Sequence, residues 1–166
     1  QNVSNLLFEI GAPLRNEFNA LYTSLFKFPE PYMKVGIALS NVKQGMQRHD
    51  IISKTKLPDN QSLADVLRDL EQCGFIRKYQ AIGKKTRDAF YQLIDNYTLF
   101  YLNFVKENND NDEQFWTNNI DTPLRNSWSG LAFERVALWH IQQIKGALGI
   151  QGINSAVYSW RPTANE

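Results

Sequence analysis

Several residue types with distinctive chemistry are scarce in this sequence. A single cysteine, Cys73, excludes an internal disulfide framework and fits a reducing compartment, so we expect a cytoplasmic location. The only histidines, His49 and His140, lie far apart with no cysteine pair near either, and no common zinc motif has that spacing. We therefore predict no metal site in this chain.

Long apolar runs and excess charge are also missing. No apolar run approaches the roughly 20 residues of a membrane-spanning helix, and the N-terminus lacks the pattern of a signal peptide, so we expect no membrane partner. Lysine and arginine total 18 against 17 acidic residues, a net charge of +1. Any nucleic-acid role must therefore come from local clustering of charge. The sequence begins with Gln1 rather than Met, which suggests part of a longer polypeptide.

The first half of the chain shows the three- and four-residue spacing of amphipathic helices. This spacing predicts helices over residues 13–28, 31–42, 47–54 and 60–73. The last is the clearest, because one face holds only apolar residues and a glycine follows its end. The residues on that face are Leu63, Val66, Leu67, Leu70 and Cys73.

The period then changes from helical to extended. Residues 75–82 and 89–94 are β-branched and aromatic runs separated by a charged loop that begins at Gly83, which predicts a β-hairpin. Three helices followed by a hairpin with a basic tip are the order of a winged helix-turn-helix. The predicted fold class is therefore mainly α with a small β-hairpin (α+β).

The remaining sequence predicts more helix. An aromatic-rich helix is expected over 96–105, a polar hinge at 108–112, a long helix over 127–148 and one strand over 156–160. We predict three parts: a helical lead-in at 1–28, the winged-helix domain at 29–95, and a helical segment at 96–166.

The predicted wing carries the strongest functional signal. Five basic residues against one acid, Asp88, give it a net charge of +4, and such a patch can neutralise phosphates. The alternative is a solvated hairpin tip whose charges prevent edge-to-edge pairing. The candidate nucleic-acid-binding residues are Arg77, Lys78, Lys84, Lys85 and Arg87.

The helix that should read DNA bases in such a domain is acidic instead. Residues 60–73 hold three acids and one base, Arg68, a net charge of −2. Carboxylates are repelled by phosphates, and few donors remain to contact guanine edges. Backbone binding led by the wing, or use of the domain as a protein interface, fits this pattern better than sequence-specific readout.

Other candidate sites have simpler interpretations. The run Gly83–Lys84–Lys85–Thr86 ends like a phosphate loop but lacks its first glycine and joins two strands, so we reject ATP binding there. Cys73 and His140 lie in apolar helical patterns and are expected to be packed in the core. Glu134, inside an apolar helix, is expected to be a surface residue paired with a base such as Arg135.

Six stretches of the sequence are distinctive when taken together. They are residues 14–18 (LRNEF), 25–27 (LFK), 70–79 (LEQCGFIRKY), 93–101 (LIDNYTLFY), 128–134 (WSGLAFE) and 140–141 (HI). On these stretches, nearly the whole chain resembles the C-terminal region of bacterial and archaeal-type AAA-family (P-loop) ATPases.

This resemblance implies a parent protein with an ATPase domain, a winged helix and a nuclease-like domain of the PD-(D/E)xK type. ATP and Mg²⁺ would bind elsewhere in that parent, and Glu134 would match one acid of the nuclease-like site. The other acids are expected after Trp160, and metal-dependent cleavage needs several carboxylates on one ion. We therefore expect this chain by itself to be no enzyme and to bind no cofactor.

Two functions are left open. The first is contact with double-stranded DNA through the wing, beside the parent ATPase domain. The second is protein–protein interaction or homo-oligomerisation, which the acidic helix and the aromatic residues at 97–104 and 115–116 favour.

Overall fold

The computed structural model describes residues 2–80, 89–108 and 112–154 of the chain. Three strands, β1 (Met46–Gln47), β2 (Ile76–Tyr79) and β3 (Phe90–Leu93), form an antiparallel sheet in the order β1-β3-β2. The helices are α1 (Asn2–Leu7), α2 (Glu17–Leu25), α3 (Pro29–Ser40), α4 (Arg48–Thr55), α5 (Gln61–Gln72), α6 (Asn96–Phe100), α7 (Phe115–Asn118), α8 (Pro123–Trp139) and α9 (Ile141–Ala147), with a π-helical segment at Tyr101–Val105. A mainly helical fold with a small antiparallel sheet is thus confirmed.

The chain divides into two compact units. The first comprises residues 1–80 and 84–119, and the second residues 81–83 and 120–166. Within the described residues, the first holds α1 to α7 and the sheet, and the second holds α8 and α9. None of the described helices is both long and apolar enough to cross a membrane. The three-part division at residues 28 and 95 stays a prediction.

Local sequence signals place the helices of the first unit. Pro29 is at the start of α3, where a missing backbone N–H costs nothing. The α4 helix begins with a capping box, because the side chains of Gln47 and Asp50 each accept a hydrogen bond from the other residue's backbone. The Asn60 side chain accepts from the Leu63 N–H at 3.2 Å and caps α5.

The end of α5 directs the chain into the sheet. Gly74 has a φ of +76°, its N–H donates to the Glu71 carbonyl, and the Phe75 N–H donates to the Leu70 carbonyl. This is a Schellman motif, whose left-handed residue is favourable only for glycine or asparagine. Leu70 and Phe75 are both buried. The turn therefore ends α5 and lets the chain enter β2 two residues after Gly74.

The sequence pattern predicted two strands and missed the third. The β1 strand has only two residues, Met46 and Gln47, which pair with Tyr91 and Phe90 of β3. Two residues are too few to show the alternation of a strand. Gly45 comes immediately before β1 with a φ of +74°, and a Cβ there would overlap with the Tyr91 carbonyl oxygen. This position requires glycine because of its positive φ and also because the backbone of β3 approaches it too closely for a side chain.

One hydrophobic core connects the elements of the first unit. Helices α2, α3, α4, α5 and α6, the sheet and the π-helical segment all contribute to it. The predicted lead-in therefore shares its core with the middle of the chain. The buried members are Phe18, Tyr22, Phe26, Val35, Ala38, Leu39, Met46, Ile51, Leu63, Val66, Leu67, Leu70, Phe75, Ile76, Leu93, Leu99 and Leu102.

Other helices depart from the predicted bounds. The α1 helix was not predicted, and α2 begins at Glu17 rather than at residue 13. The helix predicted over 127–148 is two helices, α8 and α9, because the backbone of His140 (φ −101°, ψ 19°) leaves the helical region between them. The strand predicted over 156–160 lies outside the described residues.

Candidate functional site

The hairpin of β2 and β3 positions the first two basic candidates. Arg77 is opposite Gln92 and Lys78 is opposite Tyr91 in the antiparallel register. Successive side chains of a strand point to opposite faces of the sheet. Ile76 and Leu93, which pair with each other, face the core. Arg77 therefore points away from the core, on the outer face of the sheet.

Neutral groups hold the Arg77 side chain in place. Its Nε donates a 2.6 Å hydrogen bond to Gln92 Oε1, and Gln92 Nε2 donates to the Lys43 carbonyl at 2.6 Å. The guanidinium lies 5.5 Å from the centre of the Tyr79 ring, a distance that allows a cation–π contact. No carboxylate among the described residues forms an ion pair with Arg77. Its charge is thus oriented by neutral partners in the part of the chain that the structure describes.

The aromatic side chains of the hairpin are ordered as well. The Tyr79 hydroxyl donates to the Gln44 carbonyl, and the Tyr79 and Phe90 rings stack with centroids 5.7 Å apart. On the other face of the sheet, the exposed Lys78 places its ammonium 5.9 Å from the centre of the Tyr91 ring. Arg77 and Lys78, the two basic candidates that the structure describes, therefore each lie within about 6 Å of the centre of a tyrosine ring.

The other wing candidates are Lys84, Lys85 and Arg87. All three lie outside the described residues, between the end of β2 at Tyr79 and the start of β3 at Phe90. Their predicted role is neither supported nor contradicted by the described residues.

The outer face of α5 has the opposite electrostatic arrangement. Arg68 forms ion pairs with Asp65 at 2.7 Å and with Asp69 at 3.1 Å. The Tyr32 hydroxyl of α3 donates to Asp69 Oδ2 at 2.9 Å. Burial, and next the hydrogen bond to Asp69, raise the pKa of Tyr32. Arg68 is consequently held between two carboxylates.

Glu134 is exposed on α8 in the second unit. The described residues give it no hydrogen bond or ion pair. Its neighbour Arg135 is instead buried, with 8% of its surface exposed. No group of three or more histidine, cysteine, aspartate or glutamate side chains that could hold a metal ion occurs in residues 2–80, 89–108 and 112–154. Within these ranges Glu134 is an isolated carboxylate.

Two predictions about packed polar side chains are wrong. His140 is exposed, and its Nδ1 lies 2.8 Å from the Val136 carbonyl at the junction of α8 and α9. Cys73 is exposed because it is the C-cap of α5, one residue beyond the regular helix. Both residues are C-caps, just beyond the last regular turn of their helices, so the helical spacing that predicted their burial does not apply to them.

Sequence reasoning missed two side chains that set the properties of these sites. Gln92 orients Arg77, and Tyr32 binds Asp69 from another helix. The only available signal for Gln92 was its place across a predicted hairpin, and its pairing with Arg77 depends on the register. Tyr32 and Asp69 lie 37 residues apart, and no spacing rule connects them.

A surface groove of about 350 Å³ lies between α3 and α4. Ile37 and Ala38 are apolar lining residues, and Lys34 and Lys54 are charged ones. Lys34 pairs with Glu30 at 2.7 Å, which leaves Lys54 as the cation of the groove without an ion pair among the described residues. Asn41 and Thr55 complete the lining.

The chain was compared with family models, with curated proteins and with solved structures, and none of the three comparisons gave a match.

Proposed function

We propose that residues 29–95 form a winged helix-turn-helix domain. The order of elements supports this proposal: α3, β1, α4 and α5 are followed by the hairpin of β2 and β3. The short strand between the first two helices pairs with the last strand, which gives the sheet order β1-β3-β2. In such a domain α5 would be the recognition helix and the loop between β2 and β3 the wing.

We propose that this domain contacts the phosphate backbone of double-stranded DNA through the wing. The observation that carries the proposal is the arrangement of Arg77, which neutral Gln92 orients and no described carboxylate neutralises. A guanidinium held this way loses little conformational entropy when it binds a phosphate oxygen. Lys78 and the predicted tip residues, Lys84, Lys85 and Arg87, would add further phosphate contacts.

The test is fluorescence anisotropy of a labelled generic duplex at low and moderate salt. The Lys84→Ala, Lys85→Ala and Arg87→Ala triple variant should lose salt-sensitive binding, and its log–log salt slope should fall by about 3 because each phosphate contact contributes about 0.9. A matched control removes three lysines outside the wing, Lys27→Ala, Lys106→Ala and Lys145→Ala. It should bind within about threefold of the unchanged protein.

The opposite result would contradict the proposal. If the unchanged protein binds no duplex even at low salt, the wing is not a DNA-contacting element. If the control variant loses as much affinity as the wing variant, net charge rather than the wing governs binding.

A second candidate function is protein–protein interaction or homo-oligomerisation. The supporting observation is the set of exposed apolar side chains in the second unit, where Phe133 is 74%, Leu148 66% and Trp139 51% exposed. The aromatic residues near 100 and 115, which favoured this reading from sequence, instead pack internally, since Phe104 is buried against Trp116. Light scattering of the unchanged protein and of Phe133→Ser with Trp139→Ser tests this function through a loss of oligomers.

The resemblance to AAA-family ATPases extends the proposal to the parent protein. We propose that the ATPase domain of that cytoplasmic parent binds ATP and Mg²⁺, and that this chain supplies a non-catalytic part beside it. Glu134 would then belong to the nuclease-like part. Metal-dependent cleavage there would need further carboxylates beside Glu134.

A further inference from the structure

The α5 helix carries one cation, and both terminal nitrogens of that cation bind aspartates. Arg68 is the only lysine or arginine between Gln61 and Gln72. Its Nη1 contacts Asp65 Oδ1 and its Nη2 contacts Asp69 Oδ1, so both ends of the guanidinium fork are occupied. These terminal nitrogens are the ones that would bind a guanine edge bidentately.

Contacts from outside this trio hold the two acids in place. The Tyr32 hydroxyl of α3 donates to the second oxygen of Asp69, and Gln61 Nε2 donates to Asp65 Oδ1 at 3.1 Å. The Tyr32 ring also stacks on the Phe26 ring, with centroids 3.8 Å apart and planes 7° apart. Asp69 therefore cannot swing away without breaking a bond to a second, packed helix.

The net charge of α5 opposes a change in which Arg68 leaves the two aspartates and binds a DNA base instead. Three acids (Asp65, Asp69 and Glu71) and one base give α5 a net charge of −2. If Arg68 turned toward a base, both aspartates would face the phosphates uncompensated. Repulsion between these like charges would oppose the new contact.

We infer that α5 withholds Arg68 from nucleic acid, so that the domain binds duplexes of any sequence through their backbone rather than through base readout. The inference rests on the proposed function, because it concerns the helix that would face the major groove beside the wing. Its ligand class is duplex DNA without sequence preference. The Asp65–Arg68–Asp69 cluster, with Tyr32, is the element that removes the preference.

The experiment measures binding of three unrelated labelled duplexes at two salt concentrations. The unchanged protein should bind all three within about threefold of one another. Arg68→Ala leaves Asp65 and Asp69 uncompensated, so it should weaken binding of all three duplexes by a similar factor. The Asp65→Asn with Asp69→Asn variant keeps the side-chain shapes but removes the two negative charges that compensate Arg68. It should bind about 5- to 10-fold more tightly, with a salt slope larger by about 1 for one added phosphate contact.

Two controls separate release of Arg68 from a general gain of positive charge. Glu107→Gln with Asp121→Asn removes two exposed acids elsewhere and should change affinity by less than about twofold. Adding Arg68→Ala to the α5 double variant should abolish its gain. A gain that survives this addition, or one that the control matches, overturns the inference.

Failure of the inference and failure of the proposed function give different results. If the wing variant loses binding but the α5 double variant behaves like its control, α5 does not face the duplex and only the inference fails. The same holds if Arg68→Ala changes the relative affinities of the three duplexes or if the unchanged protein strongly prefers one duplex. If the unchanged protein binds no duplex at low salt, both fail.

Discussion

The hairpin and the α5 helix each present one arginine, and their surroundings differ in one respect. Arg77 is held by the amide of Gln92, whereas Arg68 is held by the carboxylates of Asp65 and Asp69. An amide oxygen orients a guanidinium without adding a compensating charge, while a carboxylate orients it and adds a negative charge that compensates it. The comparison teaches that the presence of a basic residue is not enough for binding to a polyanion. The partner of that residue decides whether its charge is available to a phosphate.

Both arginines depend on the same core. The α5 helix buries Leu70 on the side opposite Arg68, and the turn at Gly74 joins it to β2, where Ile76 precedes Arg77. Three tests follow from this comparison. The first changes Leu70 in the shared core, the second changes Tyr22 of α2, which also packs in that core, and the third changes Gln92, the partner of Arg77.

The largest expected effect comes from the shared core. Leu70 has 0% of its surface exposed, so Leu70→Ala should lower the free energy of unfolding by about 2–5 kcal/mol through lost burial and a new cavity. Urea unfolding followed by circular dichroism measures this. The matched control Leu25→Ala, at a half-exposed leucine, should cost less than about 1 kcal/mol. Equal losses in the two variants would show that α5 is not anchored through Leu70.

An intermediate effect concerns Tyr22 of α2, which completes the core from a distant part of the chain. Burial raises the pKa of Tyr22 to about 12, and its hydroxyl lies beside the buried hydroxyl of Thr98, although neither forms a hydrogen bond of normal geometry. Because the folded-state pKa is above the unfolded value of 10.0, this contribution to stability is present below pH 10 and is lost as the pH rises to about 12.

Between pH 8 and pH 11.5 the loss attributable to Tyr22 should reach about 2 kcal/mol, since each pKa unit corresponds to about 1.36 kcal/mol and the folded-state hydroxyl is still mostly protonated at pH 11.5. Urea unfolding at pH 8 and pH 11.5 measures it in the unchanged protein and in Tyr22→Phe. The variant should lose less stability between the two pH values. Some alkaline loss should persist, because burial also raises the pKa of Tyr97. An identical loss in both proteins would contradict the assignment to Tyr22.

The smallest change in structure tests the comparison most directly. Gln92→Glu places a carboxylate beside Arg77 and makes the strand arginine resemble Arg68. Duplex affinity should fall about 3- to 10-fold and the salt slope by about 1, while stability changes by no more than about 1 kcal/mol. Anisotropy titrations measure the binding, and Gln142→Glu on the exposed side of α9 is the charge-matched control. Equal effects of the two changes would mean that Arg77 contacts no phosphate.

The sequence predicted the elements whose signals are local and long enough to read. The α5 helix was placed almost to the residue because its apolar face and the glycine after its end agree, and the structure adds the Asn60 cap at its start. The hairpin was predicted because its period differs from that of the helices before it. The two-residue β1 strand was missed, and α8 was joined to α9, because neither β1 nor the break at His140 has a periodic signal.

The candidate site was predicted in its residues but only partly in its arrangement. Net charge along the chain separated a basic hairpin from an acidic α5. Arg77 was one of five candidates in the hairpin, and Arg68 was noted only as the single base of α5. Whether each arginine is neutralised depends on Gln92, across the hairpin, and on Tyr32, on another helix. Pairings of this kind arise from strand register and helix packing, which one-dimensional spacing does not encode.

The sequence by itself thus determined the helical character, the position of the hairpin and the sign of the charge on each element, because these follow from composition and period over a few residues. The tertiary structure alone decided that α2 and α6 share the core of the middle helices and that Cys73 and His140 are exposed. It also decided that Arg68 has two carboxylate partners, whereas Arg77 has none among the described residues. The physical reason is distance: charge and hydrogen-bond partners act over a few ångströms in space, and folding brings together residues that lie tens of positions apart in the chain.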